Sequence, residues 1–83
     1  MAIEFPLQVS LRVVGRNTGD FTGLVVLLIR RHVAEVIEEN IRHRFSQDDT
    51  YVSVIVPLLL ESREQFDAVF RELSANEHVI MVI

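Results

Sequence analysis

The 83-residue chain contains no cysteine, which excludes a disulfide framework and any metal or redox site built on thiolates. The first six residues, Met1 to Pro6, lack the positively charged region of a secretory signal. The longest apolar run, Leu24 to Ile29, is far too short to span a bilayer. These absences predict a soluble, cytoplasmic protein that does not enter a membrane.

Lysine is also absent, so all eight basic residues are arginines, set against twelve acidic residues for a formal net charge of -4. An acidic balance disfavours general polyanion binding, so nucleic acid is not expected as a partner. Hydrophobic residues make up 49% of the chain, which argues against disorder. The length and composition predict one folded domain over residues 1–83.

The first half of the chain predicts a strand, a loop and a helix. Apolar residues alternate from Leu7 to Val13, which is typical of a half-buried strand. A turn-rich loop follows from Gly15 to Asp20, and either Thr18 or Asp20 suits the helix N-cap. Residues at helical spacing then define one apolar face: Phe21, Leu24, Val25, Leu28 and His32. Val26 is expected to point away from that face, with Leu27 at its margin, so helix one has spare apolar surface for solvent or a partner subunit.

The segment from Val33 to Ser46 fits two periodicities. Its apolar residues recur at every fourth position, which would prolong the helix, and its second half also alternates like a strand. A helix through Arg44 would leave only two strands before the second helix, and the apolar faces of those strands would lack a partner. The strand interpretation, from about Glu39 to Ser46, is therefore favoured.

The second half repeats the order of the first. Residues 47–50 predict a hairpin turn, and Tyr51 to Val56 a β-branched strand that Pro57 ends. Ser62 and Gln65 form a capping box before an amphipathic helix. The apolar run from His78 to Ile83 predicts a well-covered last strand.

On that helix, Asp67 and Arg71 are spaced for an ion pair. The whole order predicts an α+β, ferredoxin-like βαββαβ plait. Its four-stranded antiparallel sheet should run in the order 4-1-3-2, with two helices on one face because both crossovers are right-handed. The other face should be open to water or to a partner.

Several short segments, in this order, resemble the YbeD-like family of small, uncharacterised bacterial proteins: Phe5-Pro6, Val13-Val14-Gly15, Arg31-His32, Ser46 with Tyr51 and Ser53, and Val79 to Ile83. The resemblance implies the same plait, similar to the ACT regulatory domains that bind amino acids. Some members are linked to lipoate metabolism through gene neighbourhood. No catalytic residue is established for the family, so the resemblance transfers no site. The chain departs from the family at Asp49, where members usually have glycine; aspartate tolerates a left-handed conformation better than most residues.

The open sheet face is the first candidate ligand-binding site. Arg12, Arg42 and Arg44 should project from it beside Tyr51 and Ser53, and arginine pairs bidentately with carboxylate and phosphate. A polar face that is merely solvated, or packed on a second subunit, would show the same residues.

The loop before helix one is the second candidate, through Gly15, Arg16, Asn17 and Gly19. ACT-like domains place their ligand near this loop, and a helix N-terminus favours anions. The alternative is that the two glycines only shape a turn, and Asp20 adds unfavourable negative charge.

No catalytic motif emerges from the spacing of the titratable residues. The three histidines, His32, His43 and His78, form no ligand-spaced pair, so neither a metal nor another cofactor is expected. The sequence therefore predicts a non-enzymatic regulatory or small-ligand-binding module, acting as a homodimer or other homo-oligomer on an anionic or amino-acid-like ligand. The alternative is an adaptor that docks on a partner protein through the open sheet or helix one.

Overall fold

A computed structural model describes residues 4–83 as a four-stranded antiparallel sheet with two helices. The elements are β1 (Leu7–Arg16), α1 (Phe21–Arg30), a 3-10 turn (Glu38–Asn40), β2 (Arg42–Phe45), β3 (Tyr51–Leu60), α2 (Arg63–Ser74) and β4 (Val79–Val82). The strands lie side by side in the order β2-β3-β1-β4. The predicted ferredoxin-like plait is confirmed.

The core lies between one face of the sheet and the two helices, and we call this face the covered face. Every second residue of β3 from Val52 to Leu60 is buried, as are Leu11 and Val13 of β1. The helices supply the opposite wall of the core: Phe21, Val25, Val26, Leu28 and Ile29 from α1, and Val69 and Leu73 from α2. Strand alternation and helical spacing therefore agree on a single apolar interior.

Strand β3 does not end at Pro57, contrary to the sequence prediction, but continues to Leu60. The backbone of Tyr51 bonds to Ser46 of the β2 hairpin, so the odd-numbered residues of β3 point their N–H groups toward β2. Strand β2 begins only at Arg42, which pairs with Ile55. Pro57 therefore lies beyond the end of β2 and needs no donor there. Strand β1 likewise runs past the predicted end at Val13, as far as Arg16.

The ambiguous segment after α1 is neither a helix extension nor a long strand. Helix α1 ends at Arg30, and strand β2 covers only Arg42–Phe45, so the favoured strand is confirmed but is shorter than expected. Val33 and Val36 of the connecting segment are buried, and Ile41 packs against the core.

The prediction that Val26 points away from the core is wrong, because Val26 is only 5% exposed. Val26, Ile41 and His43 line the same hollow. The segment that leads into β2 therefore covers this side of α1. Leu27 is instead the large apolar residue of α1 that is exposed to solvent. The sequence could not show this, since the covering residues follow an irregular segment.

Strand β4 is an edge strand and is not well covered, contrary to the sequence prediction. Ile80 and Met81 are 53% and 48% exposed, whereas Val79 and Val82 pack against the core. The apolar run from Val79 to Val82 therefore contains both core-facing and exposed residues of an edge strand.

Side chains of the expected types cap both helices. The Asp20 carboxylate accepts a hydrogen bond from the Gly23 N–H at 3.0 Å, and the Ser62 hydroxyl accepts one from the Gln65 N–H at 3.1 Å. The Gln65 side chain reaches the Glu61 N–H at 2.7 Å, so the box closes one residue earlier than predicted. Asp67 pairs with Arg63 at 3.3 Å and not with Arg71. Among the described residues, no helix is long and apolar enough to cross a membrane.

Candidate functional site

The face of the sheet opposite the helices, which we call the open face, brings together the first group of predicted site residues. Across the sheet, Arg12 lies opposite Ile55, which in turn lies opposite Arg42. One row further, Ser53 lies opposite Arg44, and Tyr51 lies opposite Arg16. Paired residues of antiparallel strands point to the same side. The predicted convergence of Arg12, Arg42, Arg44, Tyr51 and Ser53 on one face is thus found, and Arg16 joins them.

The charges of the chain are strongly segregated by this face. None of the twelve acidic residues falls within a strand, whereas four of the eight arginines do, all on the open face: Arg12, Arg16, Arg42 and Arg44. The other four arginines share the rest of the chain with all twelve acids. An overall acidic protein therefore presents one local patch of positive charge.

The arginines of the open face also lack acidic neighbours. Arg30, Arg31 and Arg63 each pair with a carboxylate at 3.3 to 3.5 Å. Within residues 4–83, none of the four open-face guanidinium groups has a carboxylate at ion-pair distance. Their hydrogen-bond donors are available to an anion from outside the chain.

Arg12, Arg44, Tyr51 and Ser53 line one shallow hollow of about 330 Å³ on the open face. Its remaining wall consists of Phe45, Ser46 and Ile55. Arg42 lies beside this hollow and does not line it. The arrangement offers two guanidinium forks, two hydroxyl groups and an apolar margin, which is suited to an anion carried on a partly apolar molecule.

The turn between β2 and β3 holds one end of this hollow in place. Asp49 adopts a left-handed conformation with φ of 60°, which agrees with the tolerance expected of aspartate here. The Ser46 hydroxyl donates to Asp48 at 2.9 Å and accepts from the Tyr51 N–H at 2.9 Å. Hydrogen bonds from Thr50 and Ser46 lower the pKa of the Asp48 carboxyl below its usual value of 3.8.

The second group of predicted residues does not form one site. Gly15 lies on the covered face of β1, where a side-chain carbon would collide with the Phe21 ring and lie 2.6 Å from the His78 carbonyl oxygen. Asn17 is tied to the hairpin turn, since its backbone donates to Thr50 at 2.9 Å and its side chain to Asp49 at 3.1 Å. These two residues therefore have structural roles that explain their presence.

Gly19 alone of the second group lines the hollow at the start of α1, which measures about 380 Å³. Its neighbours there are Thr18, Asp20, Phe21, Leu24 and His78. Gly19 has φ of 58°, which favours glycine and accounts for its position in the turn. No arginine lines this hollow, so it is poorly suited to an anion.

The comparisons with known proteins identify the family. A family model described as "Protein of unknown function (DUF493)" matches residues 1–83. The chain belongs to this family. A UPF0250 protein of Neisseria gonorrhoeae is 31% identical to it over 81 residues, covering 98% of this chain and 89% of the relative. A UPF0250 protein of Pasteurella multocida is also 31% identical over 81 residues, at 98% and 90% coverage. The resemblance to YbeD-like proteins is confirmed.

Two solved structures share the fold of this DUF493 chain. The solution structure of protein HP0495 from H. pylori matches with a TM-score of 0.72 at 15% identity, covering 100% of this chain and 87% of that one. The ACT domain from the GTP pyrophosphokinase of Chlorobium tepidum matches with a TM-score of 0.66 at 15% identity, covering 93% and 95%. At this identity the likeness establishes the ACT-like fold alone.

Sequence reasoning missed a polar cluster that joins the two helices of the DUF493 chain. The His32 ring lies 3.0 Å from Glu72, and Arg31 contacts the other oxygen of that carboxylate at 3.5 Å. The Gln65 side chain donates to the His32 carbonyl at 3.0 Å. Because His32 and Glu72 are 40 residues apart, no local pattern could have indicated the contact. The cluster fixes α1 against α2, which gives the Arg31-His32 pair a structural role.

Histidine and carboxylate side chains are also common ligands of metal ions. Within the part of the chain that the structure describes, no three or more His, Asp or Glu side chains come close enough together to hold a metal ion.

Proposed function

We propose that this DUF493 chain is a non-enzymatic, ACT-like ligand-binding module with a regulatory role, and that its open face holds a small molecule bearing a carboxylate or phosphate. One observation carries the proposal. Arg12 and Arg44 line the same hollow, and no carboxylate within residues 4–83 neutralises either of them. Unpaired guanidinium groups gathered on one face of an acidic protein offer an anion both charge and directed donors.

The chemistry of the hollow favours the open face over the loop before α1. On the open face, Tyr51 and Ser53 add hydroxyl groups to the two guanidinium groups. At the loop, the Asp20 carboxylate already accepts the Gly23 N–H, so the helix N-terminus has its own anion. An external anion would meet repulsion at Asp20 and attraction at Arg12 and Arg44.

The ligand class follows from the two kinds of surface in the hollow. A bidentate arginine contact recognises the anionic group, and a charge-assisted hydrogen bond contributes about 1.5–3 kcal/mol. Ile55, which points to the open face, offers apolar contact to the rest of the molecule. Amino acids, suggested by the ACT-like fold, and lipoate or octanoate, suggested by the YbeD-like resemblance, both combine a carboxylate with an apolar body.

A thermal-shift screen tests the proposal. The panel should contain amino acids, lipoate, octanoate and nucleotides, each tested with the wild-type chain. A ligand at 100 times its Kd adds ~2.7 kcal/mol of stability. For a domain of this size that raises Tm by roughly 10–20 °C.

A matched pair of double variants separates specific binding from general charge effects. Arg12→Gln with Arg44→Gln should abolish the shift. Arg63→Gln with Arg71→Gln removes the same charge from the exposed surface of α2 and should preserve it. No shift with any compound, or equal losses in both double variants, would refute the proposal.

An adaptor function is the second candidate, and exposed apolar side chains on the open face favour it. Met81 pairs with Val14 and Leu59 with Gln8, so both project from this face, where they are 48% and 49% exposed. Exposed apolar residues beside charged ones are typical of protein interfaces. Because Val26 is buried, Leu27 is the one large apolar side chain of α1 that is exposed, which weakens docking through helix one.

The adaptor candidate predicts a different mutational pattern. Met81→Glu should abolish capture of a protein partner while leaving any small-molecule thermal shift intact. Leu27→Glu, which places the same charge on exposed α1, serves as the control and should retain the partner. Capture that survives Met81→Glu would contradict docking through the open face.

A further inference from the structure

The two strands at one side of the sheet differ greatly in length. Strand β1 spans ten residues, Leu7–Arg16, whereas its neighbour β4 spans four, Val79–Val82. The β1–β4 pairing covers Val13 to Gly15, and the backbone of Ile83 adds a pair of hydrogen bonds to Arg12 at 3.1 and 2.8 Å. Leu7 to Leu11 therefore pair with β3 on one side and with nothing among residues 4–83 on the other.

The backbone groups left unpaired along this edge can be named. Arg12 directs both its N–H and its carbonyl toward Ile83, across the β4 side. Alternate residues of an antiparallel strand direct their groups to the same side, so Gln8 and Ser10 do likewise. Each copy of the chain thus presents four backbone groups along a free edge, from Gln8 and Ser10. Such an edge is a template for another strand.

The stretch of unpaired backbone is limited at both of its ends. On one side, Arg12 is already bonded to Ile83. On the other, Pro6 has no N–H to donate, and the chain bends at Phe5 and Pro6. An added strand can therefore pair with Gln8 and Ser10 and must leave the sheet beyond them.

We propose that the strand added at this edge is β1 of a second copy of the chain, paired antiparallel about a two-fold axis at Val9. Gln8 of each copy then pairs with Ser10 of the other, which satisfies all four free backbone groups on both sides. Val9 faces Val9 of the second copy. The bend at Pro6 carries each chain out of the sheet just before it would meet Ile83 of the other copy.

The side-chain pattern of the segment is self-complementary under this symmetry. Leu7 and Leu11 lie equally far from Val9, as do Gln8 and Ser10. The pairing therefore sets aliphatic side chains against aliphatic ones on the covered face, and a polar pair on the open face. The segment has no charged residue, the device with which proteins commonly prevent edge pairing.

The helix layer offers further apolar surface beside the same edge. Among the strands, helix α2 packs mainly against β4, which places it at this side of the sheet. Phe66 is partly exposed and Phe70 is 45% exposed, and both line a hollow on the outer surface of α2. In the dimer the two sheets join into one of eight strands, whose open faces lie on the same side and bring both sets of arginines to one surface.

Cysteine cross-linking tests the proposed register, because the natural chain has no cysteine. Directly opposed side chains at a non-hydrogen-bonded pair come within disulfide reach after small adjustment. Val9→Cys should therefore form a covalent dimer rapidly under mild oxidation. Ile80→Cys, which is exposed on β4 away from the two-fold axis, is the matched control and should cross-link at least tenfold more slowly. Equal rates for the two variants would overturn the proposal.

The oligomeric state provides an independent test without a thiol. Wild-type protein should show concentration-dependent dimer in sedimentation equilibrium. Ser10→Pro removes one outward N–H and should raise the dimer Kd at least tenfold, whereas Ser10→Ala keeps the N–H and should leave it within about twofold. Circular dichroism would confirm that each variant is folded. A wild-type chain that stays monomeric at every concentration, or a dimer equally stable in folded Ser10→Pro, would overturn the proposal.

Discussion

The two faces of the sheet share the same strands and the same backbone hydrogen bonds, yet they carry opposite chemistry. On the covered face, β3 presents aliphatic residues from Val52 to Leu60, all buried against the helices. On the open face the same strand presents Tyr51, Ser53, Ile55, Pro57 and Leu59, beside arginines from β1 and β2. The covered face holds the stability of the domain. The open face instead presents charged and hydroxyl side chains to solvent.

A pair of adjacent substitutions in β3 gives the largest expected difference between the faces. Leu58 is 1% exposed on the covered face, whereas Leu59 is half exposed on the open face. Leu58→Ala should lower the free energy of unfolding by about 2–5 kcal/mol, because it removes buried surface and leaves a cavity. Leu59→Ala should cost no more than about 1 kcal/mol. Urea denaturation followed by circular dichroism measures both.

Leu59→Ala is the matched control for Leu58→Ala, since both variants make the same chemical change in neighbouring residues. Similar losses at the two positions would mean that a partner also buries the open face under the conditions of the experiment. Repeating the measurement over a range of protein concentrations would then reveal the self-association responsible.

A smaller effect on stability is expected at the turn between β2 and β3. Asp49 holds a left-handed conformation with φ of 60°, which costs a non-glycine residue roughly 1 kcal/mol. Asp49→Gly should therefore raise the free energy of unfolding by up to about 1 kcal/mol. Thermal denaturation measures the gain.

Asp49→Ala is the matched control for the turn. It removes the carboxylate but keeps a side-chain carbon, so it should be no more stable than wild type. A gain in Asp49→Ala equal to that in Asp49→Gly would show that charge, not backbone conformation, limits the turn.

The smallest expected effect is a pH dependence at Asp48. Hydrogen bonds from Thr50 and Ser46 hold its pKa below 3.8, so the ionised form is favoured in the folded state. Its stabilising contribution is present above the unfolded pKa and is lost as the pH falls through the folded pKa. The stability difference between wild type and Asp48→Asn should therefore be constant above about pH 5 and shrink below pH 3.8. A difference that stays unchanged at low pH would contradict this account of the turn.

The element order of the fold was predictable from sequence because periodicity and turn residues agreed for most elements. Where the prediction was wrong, the deciding contact was distant. Strand β3 can continue through Pro57 because β2 begins at Arg42 and leaves no partner that needs a proline N–H. Val26 is buried because a later segment covers it. Ile80 and Met81 are exposed because β4 is an edge strand. Local residue patterns contain none of this information.

The candidate site was predictable in part. Strand alternation placed Arg12, Arg44 and Tyr51 on one face, as the structure finds. The roles of Gly15 and Asn17 were not predictable, because each depends on a contact with a remote element: the ring of Phe21 and the turn at Asp49.

The most direct test of the central claim is a map of amide chemical shifts by NMR during titration with the best ligand from the thermal-shift screen. Binding on the open face predicts that the largest shifts fall at Arg12, Arg44, Tyr51 and Ser53. Binding at the loop before α1 would instead shift Thr18 to Phe21 together with His78. The first pattern would support recognition by the arginines of the open face, and the second would contradict it.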